Sequence, residues 1–212
     1  YRLNNHFTMI KIKEFEKVTN HDVKAVEYFV KEKIKPMGLE KFGEFIHFGL
    51  TSQDINNTSI PLSLKDATTG VIIPSLNEVI KKLKDLAIEY KDISMLARTH
   101  GQPASPTKLG KELMVFVERL ESQLKHLSNS TYSANFVGAT VNFNAQHITS
   151  KHIDWVKHVN DFVNNDLGFT RSKFTTQIEH YHNLAAWCDT LKRINTILID
   201  LSRDMWTYIS ME

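Results

Sequence analysis

The segment Leu184–Ile209, LAAWCDTLKRINTILIDLSRDMWTYI, decides the fold class. Its apolar residues follow one another at spacings of three and four, the pattern of a helix that packs along one face. They are Leu184, Trp187, Leu191, Ile194, Leu198, Leu201, Met205 and Tyr208. A helix of this length spans roughly 36 Å, since each residue adds about 1.5 Å. It can bury its apolar face only beside other long helices, so the segment predicts a helical bundle.

Two more segments carry the same pattern and can supply the neighbouring helices. One follows Pro74, a residue that suits the first turn of a helix, and the other follows Pro106. Their apolar residues are Leu76, Val79, Leu83, Leu86 and Tyr90 in the first, and Leu109, Leu113, Phe116, Leu120, Leu124 and Leu127 in the second. The sequence therefore predicts three long amphipathic helices.

Shorter elements connect these helices. Helices are predicted from Asn20 to about Ile34 and from Asp154 to Leu167, the second closing at Gly168. Residues 135–145 and 173–179 contain β-branched residues in short runs, and we expect loops there or at most short strands. The predicted fold class is all-α.

The predicted domain organisation follows from the same pattern. We place part of a helical domain in residues 1–57 and a long-helix bundle domain in residues 58–212. Three long apolar stripes are an awkward number for a closed four-helix core, so we expect oligomerisation to complete the bundle. The chain begins at Tyr1 and stops at Glu212 within a helical pattern, and we expect further chain on both sides.

Composition excludes several classes of partner. Lys and Arg total 26 against 24 Asp and Glu, and the two signs are interleaved, so no basic stripe for nucleic acid is present. No apolar run approaches the roughly 20 residues of a membrane span. The one cysteine, Cys188, suits a reducing compartment, and we expect a cytoplasmic protein. Cys188 and the tryptophans Trp155, Trp187 and Trp206 are predicted to be packing residues.

Four polar segments interrupt the helical patterns and hold the candidate chemistry. They are TNHD (19–22), HFGLTSQDINN (47–57), RTHGQPASP (98–106) and TTQIEH (175–180). In the first, Asn20 is a predicted N-cap with His21 beside it, and amide groups at a helix start attract phosphate or carboxylate. Simple helix capping would also explain this segment.

The second segment combines a bend with hydroxyl and amide groups. Gly49 permits a tight turn, and Thr51, Ser52 and Asp54 precede a helical stretch where they could wrap an anionic group. Capping is again an alternative. The pair of amides at 56 and 57 is more than a cap requires, which favours a binding role.

The third segment displays His100 outside a helix. Gly101, Pro103 and Pro106 keep the backbone out of helical geometry, so the ring is expected on a short rigid loop. An imidazole exchanges a proton near neutral pH, which suits general acid–base catalysis. A surface or hydrogen-bonded structural histidine would fit the local sequence equally, and the residues alone leave both interpretations open.

Other chemistries lack their motifs. The pairs His180 with His182 and His147 with His152 do not have the spacing of a zinc-binding helix, so no metal site is predicted. The sequence contains no glycine-rich phosphate loop, no dinucleotide fingerprint and no nucleophile elbow.

Taken together, several stretches resemble the adenylosuccinate lyase family of the fumarase/aspartase superfamily. They are TNHDVKAVEYFVKEK (19–33), FIHFGLTSQDINN (45–57), RTHGQPASPTKLGKE (98–112), FTTQIE (174–179) and RINTILIDLSRDMWTYI (193–209). The THGQPA motif alone occurs across the superfamily, whereas the combination is more specific. The resemblance covers nearly all of the chain, and it implies a long-helix bundle of the fumarase/aspartase type.

The resemblance implies a carbon–nitrogen lyase of purine biosynthesis. Such an enzyme eliminates fumarate from adenylosuccinate to give AMP, and from the succinylated aminoimidazole carboxamide ribotide to give the carboxamide. It needs no metal or cofactor. It is a homotetramer whose central helices form one bundle and whose active sites draw loops from three subunits.

The resemblance also implies roles for particular residues. His100 corresponds to the family's general acid. The implied substrate-binding residues are Asn20, His21, Asp22, Thr51, Ser52, Thr99 and Gln177.

The sequence departs from the family pattern at some positions. His180-Tyr181-His182-Asn183 stands where Pro-His-Asp-Tyr is expected, and Val141 stands where glycine is expected. The serine-rich loop that supplies the base is expected beyond Glu212, and an Arg-Tyr pair that contacts the phosphate before Tyr1. The chain by itself is therefore expected not to turn over at the family's rate, because the acid would act without its base.

Two alternative functions remain at this point. One is a related fumarate-releasing lyase that acts on argininosuccinate, malate or aspartate. The other is a non-enzymatic helical assembly module, for which the helices suffice and His100 is incidental.

Overall fold

The protein folds into two compact units in a computed structural model that describes residues 6–211. The first unit contains the chain up to Pro61 and Ser133–His180, and the second contains Leu62–Tyr132 and the chain from Tyr181 onward. The linear division at residues 57 and 58 stays a prediction, and it did not anticipate that the chain returns to the first unit at Ser133. The expectations about Tyr1 and Glu212 lie outside the described residues.

The first unit is built from short helices and the beginning of a long one. Helices α1 and α2 pack together, and the first part of α3 and two short helices with a short parallel strand pair complete the unit. The elements are α1 (His6–Thr19), α2 (Asp22–Ile34), two 3₁₀ segments (Lys35–Met37 and Glu40–His47), α3 (Ser52–Ala67), β3 (Ser133–Ala134), α6 (Asn144–Thr149), α7 (Trp155–Asp161) with a π turn (Phe162–Asp166), and β4 (Thr170–Arg171).

Three long helices and one hairpin form the second unit. They are α4 (Ile73–Glu89), β1 (Ser94–Thr99), β2 (Gln102–Lys108), α5 (Leu109–Ser128) and α8 (His182–Met211). Their apolar faces form one core of buried residues: Leu76, Ile80, Leu83, Ala87, Leu113, Phe116, Val117, Leu120, Leu127, Ile194 and Ile197. The three predicted stripes supply most of this core, which confirms the all-α prediction.

The helix predicted to follow Pro74 continues an earlier helix. The chain stays helical from Ser52 to Glu89, because a π turn at Thr68–Ile72 joins α3 to α4. Pro74 lies in the first turn of α4, as predicted, but the chain before it is already helical. A proline cannot donate the hydrogen bond of a helix interior, and the wide turn lies where the regular α pattern is already relaxed.

Asn20 was predicted to be the N-cap of helix α2, and this prediction is wrong. It has a positive φ of 51° and its N–H donates to the Glu16 carbonyl at 2.8 Å, so it ends helix α1. Asparagine tolerates this left-handed conformation better than most residues. The N-cap of α2 is His21, whose Nδ1 accepts a hydrogen bond from the Lys24 N–H at 3.3 Å. Helix α1 itself was not predicted.

Two packing predictions are wrong. Cys188 is exposed on helix α8, and the Trp206 side chain is 73% exposed. Both positions fall beside the apolar stripe of a helix that leaves part of its surface uncovered. Trp155 and Trp187 are partly buried, as expected.

The remaining predictions concern loops and membranes. Residues 135–145 and 173–179 contain no regular strand, which confirms the prediction except at the end of the first run, where residues 144 and 145 begin helix α6. No helix in the part of the chain that the structure describes is both long and apolar enough to cross a membrane.

Candidate active site

His100 lies at the tip of the β1–β2 hairpin. Thr99 pairs with Gln102, which leaves His100 and Gly101 as a two-residue turn. Both residues have positive φ, 51° and 75°, which is the requirement of a type I′ turn. The Arg98 guanidinium donates to the Gly101 carbonyl at 3.3 Å and supports the turn. The predicted rigid loop is therefore a tight hairpin.

The hairpin tip leaves the His100 ring open to solvent. The residue is exposed, and within residues 6–211 its ring makes no hydrogen bond or ion pair. A histidine held only by its own turn keeps both ring nitrogens available for a ligand. Thr99, the implied substrate-binding neighbour, is exposed beside it.

Thr51 and Ser52 lie at the start of helix α3. Asp54 Oδ2 accepts hydrogen bonds from the Thr51 N–H at 2.7 Å and from the Thr51 hydroxyl at 3.0 Å. Both bonds run from Thr51 to the Asp54 carboxylate; the first is one half of a capping box, and the Asp54 N–H donates to the Thr51 carbonyl at 3.1 Å, which fixes the first turn of the helix. Amide groups of a first helical turn lack partners within the helix, and the helix dipole favours an anion there.

The other oxygen of Asp54 binds a distant loop. Oδ1 accepts from the N–H groups of Val137 at 2.9 Å and Gly138 at 3.1 Å, and the residue is fully buried. Asp54 thus receives four hydrogen bonds, which satisfy a buried carboxylate. It joins the start of α3 to the loop at residues 135–143, a role that helix capping alone would not give it.

Asn57 brings the Gln177 segment to the same helix. Its amide Nδ2 donates to the Gln177 carbonyl at 3.0 Å, and its Oδ1 accepts from the Glu179 N–H at 3.3 Å. Asn57 is fully buried, whereas Gln177 is exposed. The structure therefore brings together the segments that carry Thr51, Ser52 and Gln177.

Two further residues of this cluster were missed by the sequence analysis. Buried Glu179 accepts from the hydroxyls of Ser133 at 3.0 Å and Ser172 at 2.7 Å. Buried Asn135 donates to the Thr175 hydroxyl at 2.5 Å. The available signal was a polar side chain between apolar neighbours, as in Ala134-Asn135-Phe136, which predicts a buried hydrogen-bonding group.

The Asn20–Asp22 turn is exposed at the α1–α2 junction. Asp22 Oδ1 accepts from the Val23 N–H at 2.8 Å and lies 3.3 Å from His21 Nδ1. In the described chain, no hydrogen bond joins this turn to the Thr51 or Gln177 segment. The implied binding residues of this turn thus share the first unit with Thr51, Ser52 and Gln177 but make only local contacts, and Thr99 and His100 belong to the second unit.

The loop that departs from the family pattern is strained. Val141 has a φ of 62°, a left-handed conformation that costs a β-branched residue free energy. Glycine adopts this conformation without a steric penalty, which explains why glycine is expected at the position. Residues 6–211 contain no group of three or more His, Cys, Asp or Glu side chains that could hold a metal ion.

Comparison with known proteins places the chain in a family. A family model described as "Lyase" matches residues 3–212. The adenylosuccinate lyase of Dictyostelium discoideum is 56% identical over 207 residues, which cover 95% of this chain and 44% of that protein. The adenylosuccinate lyase of Vibrio cholerae is 47% identical over 208 residues, 98% of this chain and 46% of that protein. The chain spans less than half the length of these curated relatives.

A solved structure supports the fold. The 3-carboxy-cis,cis-muconate lactonizing enzyme from Pseudomonas putida superposes with a TM-score of 0.74 at 20% identity, covering 95% of this chain and 44% of that one. The helices and their shared core define an all-α protein built on long helices. On the match across residues 3–212, the chain belongs to the Lyase family.

Proposed function

We propose that this chain carries part of an adenylosuccinate lyase active site. The reaction is a β-elimination in which a base removes a proton from the succinyl Cβ and the electron pair forms the double bond of fumarate. The C–N bond breaks, and an acid protonates the departing nitrogen, giving AMP from adenylosuccinate and the carboxamide from the succinylated ribotide. The similarity to adenylosuccinate lyases at 47–56% identity supports this proposal.

The observation that carries the proposal is the position of His100. A two-residue turn with positive φ at both residues places an exposed imidazole at the tip of a hairpin without using its ring nitrogens. That is what a general acid requires, because the ring must reach the leaving nitrogen unhindered. We assign His100 as the acid that protonates the departing nitrogen.

The other site residues bind the anionic groups of the substrate in this proposal. The start of α3 at Thr51 and Ser52 offers hydroxyls and amide N–H groups, which favour phosphate or carboxylate. Asn20, His21, Asp22, Gln177 and Thr99 complete the binding set. Buried Asp54 and Asn57 hold the Thr51 and Gln177 segments together without contacting the substrate.

The proposal extends to assembly and location. We propose a cytoplasmic homotetramer that takes a small nucleotide substrate, needs no metal or cofactor, and binds neither nucleic acid nor membranes. Loops from neighbouring subunits would then complete each site.

Substitution of His100 by asparagine tests the assignment. Asparagine tolerates the left-handed conformation of residue 100, so His100→Asn should keep the hairpin and remove the acid. In the complete protein we expect kcat for fumarate release to fall by about 10²- to 10⁴-fold with an unchanged melting temperature. His126→Asn, at an exposed histidine of α5, is the matched control and should leave kcat unchanged.

Two results would contradict the proposal. If His100→Asn keeps more than about a tenth of the wild-type kcat, His100 is not the acid. If the wild-type protein releases fumarate faster from argininosuccinate, malate or aspartate than from adenylosuccinate, the substrate assignment is wrong. An inactive wild-type protein would favour the helical assembly module.

A further inference from the structure

A buried carboxylate in the first unit has no role in the site described so far. Glu27 lies in the middle of helix α2, and its side chain is only 4% exposed. Three cationic or imidazole groups surround it: Lys24 Nζ at 2.9 Å, Lys31 Nζ at 2.9 Å and His47 Nδ1 at 3.0 Å. Burial of a charge is costly unless it is paired in this way, so the cluster needs an explanation.

Glu27 stays ionised over the whole neutral range. Burial by itself would raise the pKa of Glu27, but hydrogen bonds and attraction from Lys24 and Lys31 outweigh it and lower the pKa to about 2. An ionised carboxylate can only accept hydrogen bonds. His47 Nδ1 therefore carries a hydrogen and donates a hydrogen bond to Glu27 Oε2 at 3.0 Å, which fixes the orientation of the imidazole ring.

His47 connects this carboxylate to the candidate site. It is the last residue of the 3₁₀ segment Glu40–His47, and the bend at Gly49 and the start of α3 at Thr51 follow directly. Lys31 extends the connection, because it also binds Glu44 of the same 3₁₀ segment at 3.0 Å. Helix α2 thus binds the 3₁₀ segment at two residues, His47 and Glu44. His47 bonds to Glu27 itself, and Glu44 bonds to Lys31, which is also bound to Glu27.

The bend beyond His47 leaves little room for displacement. Gln146 Nε2 donates to the Gly49 carbonyl at 2.7 Å, and a side chain on Gly49 would meet the Gln146 amide at 2.6 Å. A shift of His47 would therefore be passed along the backbone to Thr51, since the intervening residues cannot move freely.

We propose that Glu27 is a positioning residue: through its hydrogen bond to His47 it fixes the bend that carries Thr51 and Ser52 relative to helix α2, whose first turn carries His21 and Asp22. The inference rests on the proposed function, because it assigns both segments to one substrate. The expected consequence is a higher affinity for the anionic substrate. Two binding segments that are already held in fixed relative positions lose less conformational entropy when the substrate binds.

Glu27→Gln in the complete protein tests this proposal. The substitution keeps the size of the side chain and removes the charge that orients His47. We expect KM for adenylosuccinate to rise about tenfold while kcat changes less than about threefold. The matched control is Glu32→Gln on the same helix, where Glu32 pairs with Lys11 of helix α1, and KM should be unchanged.

A double-mutant cycle separates positioning from general structural support. If Glu27 acts through His47, Glu27→Gln should add little to the loss in kcat/KM caused by His47→Ala. If Glu27→Gln does not fold, the cycle uses Glu27→Asp. That change keeps the negative charge, so the lysines are not left beside a neutral side chain, but it withdraws the carboxylate from His47 by about 1.5 Å, roughly one C–C bond.

Amide hydrogen exchange gives a readout that does not depend on the substrate. The amides of residues 49–52 should exchange about tenfold faster in Glu27→Gln than in Glu32→Gln. Equal exchange in the two variants, an unchanged KM, or additive effects in the cycle would each overturn the inference. A wild-type protein that does not cleave adenylosuccinate would contradict the proposed function instead, and the exchange result would then decide the role of Glu27.

Discussion

Buried carboxylates hold the polar segments of the first unit by different means. Asp54 receives four hydrogen bonds from Thr51 and from two backbone amides, whereas Glu27 is surrounded by side chains. A backbone donor survives every substitution except proline and does not titrate near neutral pH, whereas a side-chain donor can be removed by an ordinary substitution. The arrangement around Glu27 is therefore the one that mutation can probe directly.

Glu27 should make stability depend on acid pH. Its pKa is lowered from the ordinary value of 4.5 to about 2, so its contribution is complete above the unfolded value and is lost as the pH falls towards 2. In urea unfolding, the wild-type protein should be more stable than Glu27→Gln at pH 5.5, and this difference should shrink by about 2 kcal/mol at pH 3. A difference that stays constant between these pH values would show that Glu27 is not held ionised in the folded state.

The residues that sequence reasoning found are those with a local signal. His100 stands beside glycine and two prolines, and Thr51 with Asp54 has the spacing of a helix start, so each could be singled out without a partner. Glu27 and Glu179 could not, because they look like ordinary charged residues and acquire meaning from partners that are distant in sequence, His47 and Ser133. Hydrophobic periodicity carries no information about such pairs.

At the scale of elements, the long helix that runs from Ser52 to Glu89 contains a feature that the apolar pattern hides. The π turn at Thr68–Ile72 interrupts the regular α geometry, and the buried Thr68 hydroxyl both donates to the Leu64 carbonyl at 2.6 Å and accepts from Trp187 Nε1 at 2.9 Å. The indole of α8 thus binds the helix where its backbone is least regular. Periodicity predicted the helices on both sides, but a turn that keeps the chain helical gives no break in the pattern.

Thr68→Val tests the hydrogen bond between the Thr68 hydroxyl and Trp187 Nε1. Valine has nearly the same shape but leaves the Trp187 N–H without its acceptor, so we expect a loss of about 1–3 kcal/mol in the free energy of unfolding. For a protein of this size that corresponds to a fall of about 2–4 °C in Tm for each kcal/mol. The hydroxyl of neighbouring Thr69 is exposed and binds its own helix at the Lys65 carbonyl, so Thr69→Val is the control. Equal Tm values for the two variants would show that the Trp187 hydrogen bond does not contribute to stability.

For the whole molecule, the outer surface of helix α8 is the feature that a single chain does not explain. Ile199 is 53% exposed, Trp206 73% and Ile209 75%, although each is a large apolar residue. Contiguous exposed apolar side chains on a helix are typical of a protein–protein contact. The expectation that other copies complete the bundle, made from three apolar stripes in one chain, stays a prediction.

Trp206→Glu should weaken self-association. A charge placed at a helix–helix contact loses its hydration without gaining a partner, so we expect the wild-type protein to sediment as an oligomer at micromolar concentration and the variant to sediment at lower mass. Ala185→Glu, at an exposed position near the start of the same helix, should not change the mass. Sedimentation of the wild-type protein as a monomer would contradict the expected assembly.

The burial of Glu27 has a consequence for the effect of salt. Ion pairs on the helix surfaces, such as Lys81 with Asp85 at 2.7 Å, are screened over a Debye length of about 8 Å at physiological ionic strength. Glu27 is shielded by the protein itself, so dissolved ions reach it poorly. Rising potassium chloride concentration should therefore weaken the surface ion pairs first and leave the bend before Thr51 in place. The proposed binding segment at Thr51 and Ser52 should then keep its structure at high ionic strength.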